Sequence, residues 1–306
     1  MQQTIEATPR TVDRYPSRVD AQPHVSARAD PVVYGRPDQG PLDQSVLTQY
    51  EDTGLLHFDA LFGAQDLAQW TDELDRLRHD ESVKSSPQAI IEPDSRDLRS
   101  IFAVHQTSDV MRRLAAHPKL LDIVEQILGG PVYVHQSRIN YKGGFRGKEF
   151  YWHSDFETWH VEDGLPAMRT LSCSISLTEN TPYNGPLMLI PGSHHRFVSC
   201  VGQTPADHYK ASLRRQELGV PDDDSLAKLV QDFGLIAPTG PAGAVTMFEC
   251  NVMHGSNSNI TPMPRSNIFI VYNSLENKPV DPFCGQAPRP NHIAEREDFT
   301  PARALV

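Results

Sequence analysis

Two periodicities divide the chain. Leu67, Trp70, Leu74 and Leu77 recur at three- and four-residue intervals behind Asp66, which predicts a surface helix with one apolar stripe. Leu120, Leu121, Val124, Ile127 and Leu128 repeat that pattern, with Pro118 suited to the first turn and Gly129-Gly130 to the end. From residue 132 onward the period drops to two. Leu171, Cys173, Ile175 and Leu177 alternate with Ser172, Ser174, Ser176 and Thr178, predicting a half-buried strand with one apolar face. Further strands are predicted over 132–140, 150–156, 187–190 (stopped by Pro191-Gly192), 244–252 and 267–272. Between Pro191 and Gly243 runs a long excursion with a predicted helix over 225–233, closed by Gly234; an insertion of that length is usually a lid or a crossover. Helices first, then many strands and no internal repeat, predict a β-sandwich or open barrel with a helical layer outside.

Composition narrows the function classes. At roughly 150 residues per domain, 306 residues make one large domain or two ordinary ones. Lys and Arg total 28 against 39 Asp and Glu, a formal charge of -11, and a field of that sign repels nucleic acid and anionic lipid. Residues 1–40 are charge-balanced, rich in proline and without periodicity, with Tyr15 and Tyr34 as their aromatics. They read as a poorly ordered N-terminal arm, so the whole negative charge falls on 41–306, taken as a single domain. No apolar run approaches the roughly 18 residues of a membrane span, and the N-terminus lacks an apolar leader core, so a cytoplasmic protein is expected. Cys173, Cys200, Cys250 and Cys284 are widely spaced, which suggests neither a disulfide framework nor a zinc knuckle.

The chemistry lies among 13 histidines. Two His-x-Asp pairs occur, a pattern that composition alone could produce. His57 and Asp59 precede the first helix, where the aspartate reads better as a turn or cap residue. His153 and Asp155 fall on a predicted strand, where residues two apart share a face and could grip a divalent metal. His254, just beyond the strand predicted over 244–252, offers a third donor. Two histidines and one carboxylate with open positions form the facial triad of non-haem Fe(II) oxygenases, although zinc hydrolases use similar donors. Arg265 follows at the start of the next strand and shares parity with Asn267 and Phe269, so all three face the same way. Facing a cavity, its guanidinium would hold a carboxylate bidentately, with Ser256 adding a hydroxyl; facing outward, it would make an ordinary salt bridge.

With His153-x-Asp155, His254 and Arg265 in place, the stretch from Gly185 to His194 (GPLMLIPGSH) gives a specific match. The chain resembles the phytanoyl-CoA dioxygenase-like superfamily of Fe(II)- and 2-oxoglutarate-dependent oxygenases. The run from Phe150 to Arg169 (FYWHSDFETWHVEDGLPAMR) narrows the resemblance to the ectoine hydroxylase branch, over roughly residues 45–300. Asp155 matters here, because related halogenases carry a small residue at that position. The resemblance implies a mainly β fold with helices packed on one side, a double-stranded β-helix (a cupin-like jelly roll). It implies Fe(II) held by His153, Asp155 and His254, with O2 and 2-oxoglutarate as cosubstrates. The far carboxylate of 2-oxoglutarate would be held by Arg265 and Ser256, with Asn140 and Phe150 lining the same pocket.

The implied reaction converts ectoine to 5-hydroxyectoine, a compatible solute of the stress response, and releases succinate and CO2. Trp159 would stack on the ectoine amidinium, a contact worth about 2 kcal/mol when desolvated. Gln136, Thr158, Phe248, Asn267 and Phe269 would contact the ring, and Arg289 would bind its carboxylate from a loop closing as a lid. The resemblance also implies a homodimer. Two other readings stand beside this one: a related oxygenase acting on another small amino acid or natural product, and a non-catalytic jelly-roll binding protein.

Overall fold

The switch of period at residue 132 coincides with the first long strand of the main sheet. The computed structural model describes residues 12–92, 96–213 and 217–305. Its strands in chain order are β1 Val25–Ala27, β2 Leu55–Phe58, β3 Ala89–Ile91, β4 Leu98–Phe102, β5 Val132–Lys142, β6 Phe150–His153, β7 Thr170–Ser176, β8 Leu187–Leu189, β9 Arg196–Val198, β10 Val245–Glu249, β11 His254–Ser256 and β12 Arg265–Ser274. Seven form one antiparallel sheet in the order β2-β10-β7-β12-β5-β4-β3, and three form a smaller sheet, β6-β11-β8. Leu187 and Leu189 of the small sheet pack with Phe248 and Phe269 of the large one, so the sheets close over each other. This is the double-stranded β-helix that the resemblance implies.

The helices cover the other face of the large sheet. Trp70, Leu74 and Leu77 from the helix Ala64–His79, and Leu120, Leu121, Val124 and Ile127 from Pro118–Leu128, share one core with Cys173, Ile175, Ile268 and Ile270. Pro118 opens its helix and Gly129 ends it at φ 72°, as the sequence predicts. The helix Ala64–His79 is capped by Gly63; Asp66 lies three residues later and accepts from the Gly63 amide. The helix of the excursion spans Asp223–Phe233, capped by Asp222.

Three differences from the sequence reading bear on the site. The strand expected over 150–156 stops at His153, because Ser154 caps a short helix, Asp155–Thr158, by accepting from the Glu157 amide. The serine face of β7 is buried; it looks between the two sheets, where Ser174 Oγ accepts from Asn267 Nδ2. In β5, the pairing with β12 skips His135, so side-chain parity reverses along the strand. Val132 and Val134 face the helices before this bulge, Ile139 and Tyr141 after it. The reversal turns Gln136, Arg138, Asn140 and Lys142 toward the space between the sheets, a common use of bulges near sites.

The arm also departs from expectation. Residues 1–11 lie outside the described residues, but 12–40 are packed against the body. β1 pairs with β9, Tyr15 is buried among Phe156, Trp159 and Phe197, and Val32 joins the main core. Composition missed this because the anchors are single side chains and ion pairs without a period. Among the described residues, no helix is long and apolar enough to cross a membrane.

Candidate metal centre and flanking pockets

His153 ends β6 and His254 begins β11; the two are direct partners in the small sheet, with ring centroids 4.3 Å apart. His153 Nδ1 lies 2.6 Å from the Tyr151 carbonyl and His254 Nδ1 lies 2.9 Å from that of Val252. A carbonyl only accepts, so each Nδ1 carries the hydrogen and each Nε2 lone pair is free. Asp155 completes the set from the first turn of its helix, with Oδ1 3.6 Å from His153 Nε2 and Oδ2 3.8 Å from His254 Nε2. The three ligating atoms lie within 4.8 Å of one another, and this is the one such group among the described residues.

The electrostatics favour the ligating forms. Burial raises the Asp155 carboxyl, but the charges of His254, His153 and Arg138 outweigh it and hold it well below the usual carboxylate range. Burial, helped by His153, pushes His254 down to about 4, which keeps it neutral near pH 7. An ionised carboxylate and two imidazoles with free Nε2 suit a divalent iron. His57, by contrast, sits in β2 with Nδ1 bonded to Thr246 Oγ1 and Asp59 3.3 Å from Nε2, with no third donor among the described residues.

On one side of the triad a cavity is lined by Arg138, Asn140, Lys142, Phe150, Ser256, Arg265, Asn267 and Phe269. Arg265 faces it, and no carboxylate pairs with it among the described residues; Nη1 donates to the Gly185 carbonyl and Nε has no partner. Burial lowers its pKa to about 10. Lys142 donates to Ser256 Oγ at 2.8 Å and to the Asn257 carbonyl at 2.5 Å. Burial, then the charges of Arg265 and Arg99, push Lys142 down to about 6. Arg265, a buried cation with no carboxylate partner among the described residues, and Lys142 beside it, an amine that a bound anion would charge, make this end a receptor for an anion.

On the other side, Gln136, Thr158, Trp159 and Arg289 line a second cavity with Ser100, Phe102 and Glu162. Arg138, Phe150 and His153 are common to both cavities. Arg289 is buried, and its Nε and Nη2 both donate to the Asp163 carboxylate. His208, Ser212 and Leu213 of the excursion close the rim. Asn267 and Phe269, implied as ring contacts, line the Arg265 cavity; Phe248 stands behind His254, 4.9 Å from its ring, and lines neither.

The sequence reading passed over Arg138, Lys142 and Asp163. Arg138 has a buried Nε without a partner, a guanidinium 5.0 Å from the Phe269 ring centre, and a place in both cavities. Reading the strand two residues further, with the parity of Gln136 and Asn140, would have found Arg138 and Lys142. No local signal pointed to Asp163, because its partner lies 126 residues away.

The sequence profile of phytanoyl-CoA dioxygenases (PhyH) matches residues 50–267. The chain belongs to this family. Among members, the ectoine dioxygenase of Stutzerimonas stutzeri is 53% identical over 290 residues, 94% of this chain and 96% of the relative. That of Sphingopyxis alaskensis is 49% identical, with 93% of each chain covered. The crystal structure of EctD from S. alaskensis with 2-oxoglutarate and 5-hydroxyectoine superposes with a TM-score of 0.86 at 44% identity, covering 96% of this chain and 100% of that one. More distant structures, such as the carbocyclase SnoK at 21% identity and a TM-score of 0.57, share the fold.

Proposed function

We propose that the protein hydroxylates ectoine to 5-hydroxyectoine with O2 and 2-oxoglutarate, releasing succinate and CO2. The observation that carries this reading is the triad between two unlike cavities, one built around Arg265 and one that sets Trp159 beside polar and charged groups, in a chain so similar to ectoine dioxygenases over nearly its full length. His153, Asp155 and His254 would hold Fe(II), which, with 2-oxoglutarate bound, activates O2 and couples decarboxylation of the oxo acid to hydroxylation of the substrate.

The chain's own residues divide the remaining work. Arg265 and Lys142 would neutralise the far carboxylate of 2-oxoglutarate, Ser256 and Asn140 offer it hydrogen bonds, and Phe150 walls the pocket. A charge-assisted bond of this kind contributes about 1.5–3 kcal/mol net. Trp159 offers a face to the ectoine amidinium, Thr158 and Gln136 polar contacts, and Arg289 the cation for its carboxylate. Asn267 and Phe269 would meet the ring where the cavities join, and Phe248 acts by backing His254. Burial of these groups would exclude water and limit the orientations open to the substrate ring. Residues 41–306 are read as one catalytic domain; a homodimer in the cytoplasm, serving osmotic or thermal protection, completes the reading, and sizing tests the dimer.

The experiment adds Fe(II) and 2-oxoglutarate anaerobically and looks for the weak visible charge-transfer band of the chelate, then for its change on adding ectoine. A missing band removes the oxygenase reading. A band indifferent to ectoine removes only the substrate.

A further inference from the structure

The second cavity takes much of its wall from one irregular segment. After the helix Asp155–Thr158 the chain makes a π-helical turn, Trp159–Asp163, ended by Gly164 at φ 80°. Thr158, Trp159 and Glu162 line the cavity from this segment, and Asp163 fixes Arg289. Turns of this kind are rare, and functional sites often contain one. Something outside the segment must set where Thr158 and Trp159 stand.

The far end of the turn is held by the chain near residue 280, where Cys284 N donates to the Val161 carbonyl and Val280 N to that of Gly164; the end that carries Thr158 and Trp159 is held by the N-terminal arm. Arg18, fully enclosed, donates from Nε to Glu157 Oε1 at 2.9 Å and from Nη2 to Glu157 Oε2 at 2.7 Å. Its Nη1 donates to Glu162 Oε1 at 2.6 Å and to Thr204 Oγ1 at 3.1 Å. Its Nη2 also reaches Thr158 Oγ1, at 3.4 Å. One guanidinium thus bridges the two carboxylates that bracket Thr158 and Trp159. Ser17 Oγ adds a bond to Glu157 Oε1 at 2.7 Å, and His208 Nδ1 meets Glu162 Oε1 at 2.8 Å. The backbone at Arg18 is left-handed, φ 59°, a conformation disfavoured for a residue with a Cβ. From the excursion, Gly219 lies so close that a Cβ there would stand 2.3 Å from the Arg18 guanidinium.

We propose that Arg18 is a positioning residue of the ectoine pocket, acting through Glu157 and Glu162 on Thr158 and Trp159. The inference rests on the reading of this cavity as the ectoine site. Without Arg18, two buried carboxylates lose the cation they share, and relief comes through movement of the segment between them. Arg265, Lys142 and Ser256 stand on β5, β11 and β12, which Arg18 does not touch, so the 2-oxoglutarate end keeps its geometry.

The test uses full-length Arg18→Gln, Arg18→Lys and Ser17→Ala, with Arg36→Ala as a control on the exposed part of the arm. For Arg18→Gln, a displacement of the segment is expected to raise the KM for ectoine about tenfold or more and to release succinate in excess of hydroxylated product, with the KM for 2-oxoglutarate within about twofold of wild type. Arg18→Lys recovers only part, since an ammonium cannot bond both carboxylates in the same fork. Ser17→Ala gives a smaller change of the same kind and keeps the test alive if Arg18→Gln does not fold. Amide hydrogen exchange on the unloaded protein supplies a readout without turnover: exchange should quicken over 155–164 in Arg18→Gln and stay as in wild type over β11 and β12. The proposal is overturned if ectoine KM and coupling are unchanged, or if both KM values and exchange over all strands worsen together. A wild-type protein that forms no hydroxyectoine would instead defeat the substrate reading, and the exchange pattern would still decide whether Arg18 positions the segment.

Discussion

Lys142 makes cosubstrate binding a proton-linked event. In the free protein, burial and the neighbouring Arg265 and Arg99 put its pKa near 6, against the opposing charge of Glu149. At pH 7.5 about 3% of the side chain is then charged. The far carboxylate of 2-oxoglutarate, placed between Arg265 and Lys142, favours the ammonium and raises its pKa in the complex. The sign follows: the ligand prefers the protonated form, so affinity falls as pH rises above the free value. Between pH 6.5 and 8 the Kd is expected to rise about twentyfold, provided the pKa in the complex exceeds 8. Calorimetry of anaerobic Fe(II)-loaded enzyme at pH 7.5, in two buffers of different ionisation enthalpy, should register uptake of about one proton per 2-oxoglutarate. Lys142→Met should abolish the uptake, flatten the profile, and weaken binding at pH 6.5 by about ten- to a hundredfold, the loss of one charge-assisted bond. A flat wild-type profile with no uptake would mean that Lys142 is already charged in the free protein or does not meet the ligand. A slope that survives in Lys142→Met would assign the proton elsewhere.

Arg289→Lys keeps the charge but loses the fork that Asp163 holds, so the KM for ectoine should rise about tenfold while that for 2-oxoglutarate stays put; steady-state kinetics with each substrate varied checks this. His254→Ala should remove the anaerobic chelate band and His57→Ala should leave it, and the opposite result would mean that the wrong His-x-Asp pair was chosen. Burial depresses His105 and His194 to about 4, below their ordinary value, so the unfolded chain binds their protons first and stability falls as pH drops from 6.5 toward 4. Each should cost about 2 kcal/mol between pH 7 and pH 5; urea unfolding at the two values, with His105→Gln reducing the difference, measures it.

Strand parity carried most of what could be read in advance. It put Arg265, Asn267 and Phe269 on one face, and all three line one cavity. It also paired His153 with Asp155, which do converge, though for another reason: Ser154 ends the strand and Asp155 reaches the centre from a helix. Parity failed where a bulge intervenes. His135 is the extra residue in β5, and nothing in the local pattern announces that alternation reverses around it. The serines of β7 misled for a related reason. Polarity in a strand reads as solvent exposure, yet here the polar face lies between two sheets, where a site needs hydrogen-bonding groups. Long-range partners stayed out of reach altogether. Arg18 with Glu157, and Asp163 with Arg289, are separated by 139 and 126 residues, and an ion pair of that span leaves no periodic trace.

The most direct measurement follows products of a single reaction mixture: protein, Fe(II), 2-oxoglutarate and ectoine under labelled O2, with succinate and hydroxylated ectoine quantified together. Equal amounts of succinate and 5-hydroxyectoine are expected, with label entering succinate, and neither product when ectoine is present but Fe(II) is withheld. Ectoine recovered unchanged beside stoichiometric succinate, or hydroxylated product formed without 2-oxoglutarate, would contradict the proposed reaction.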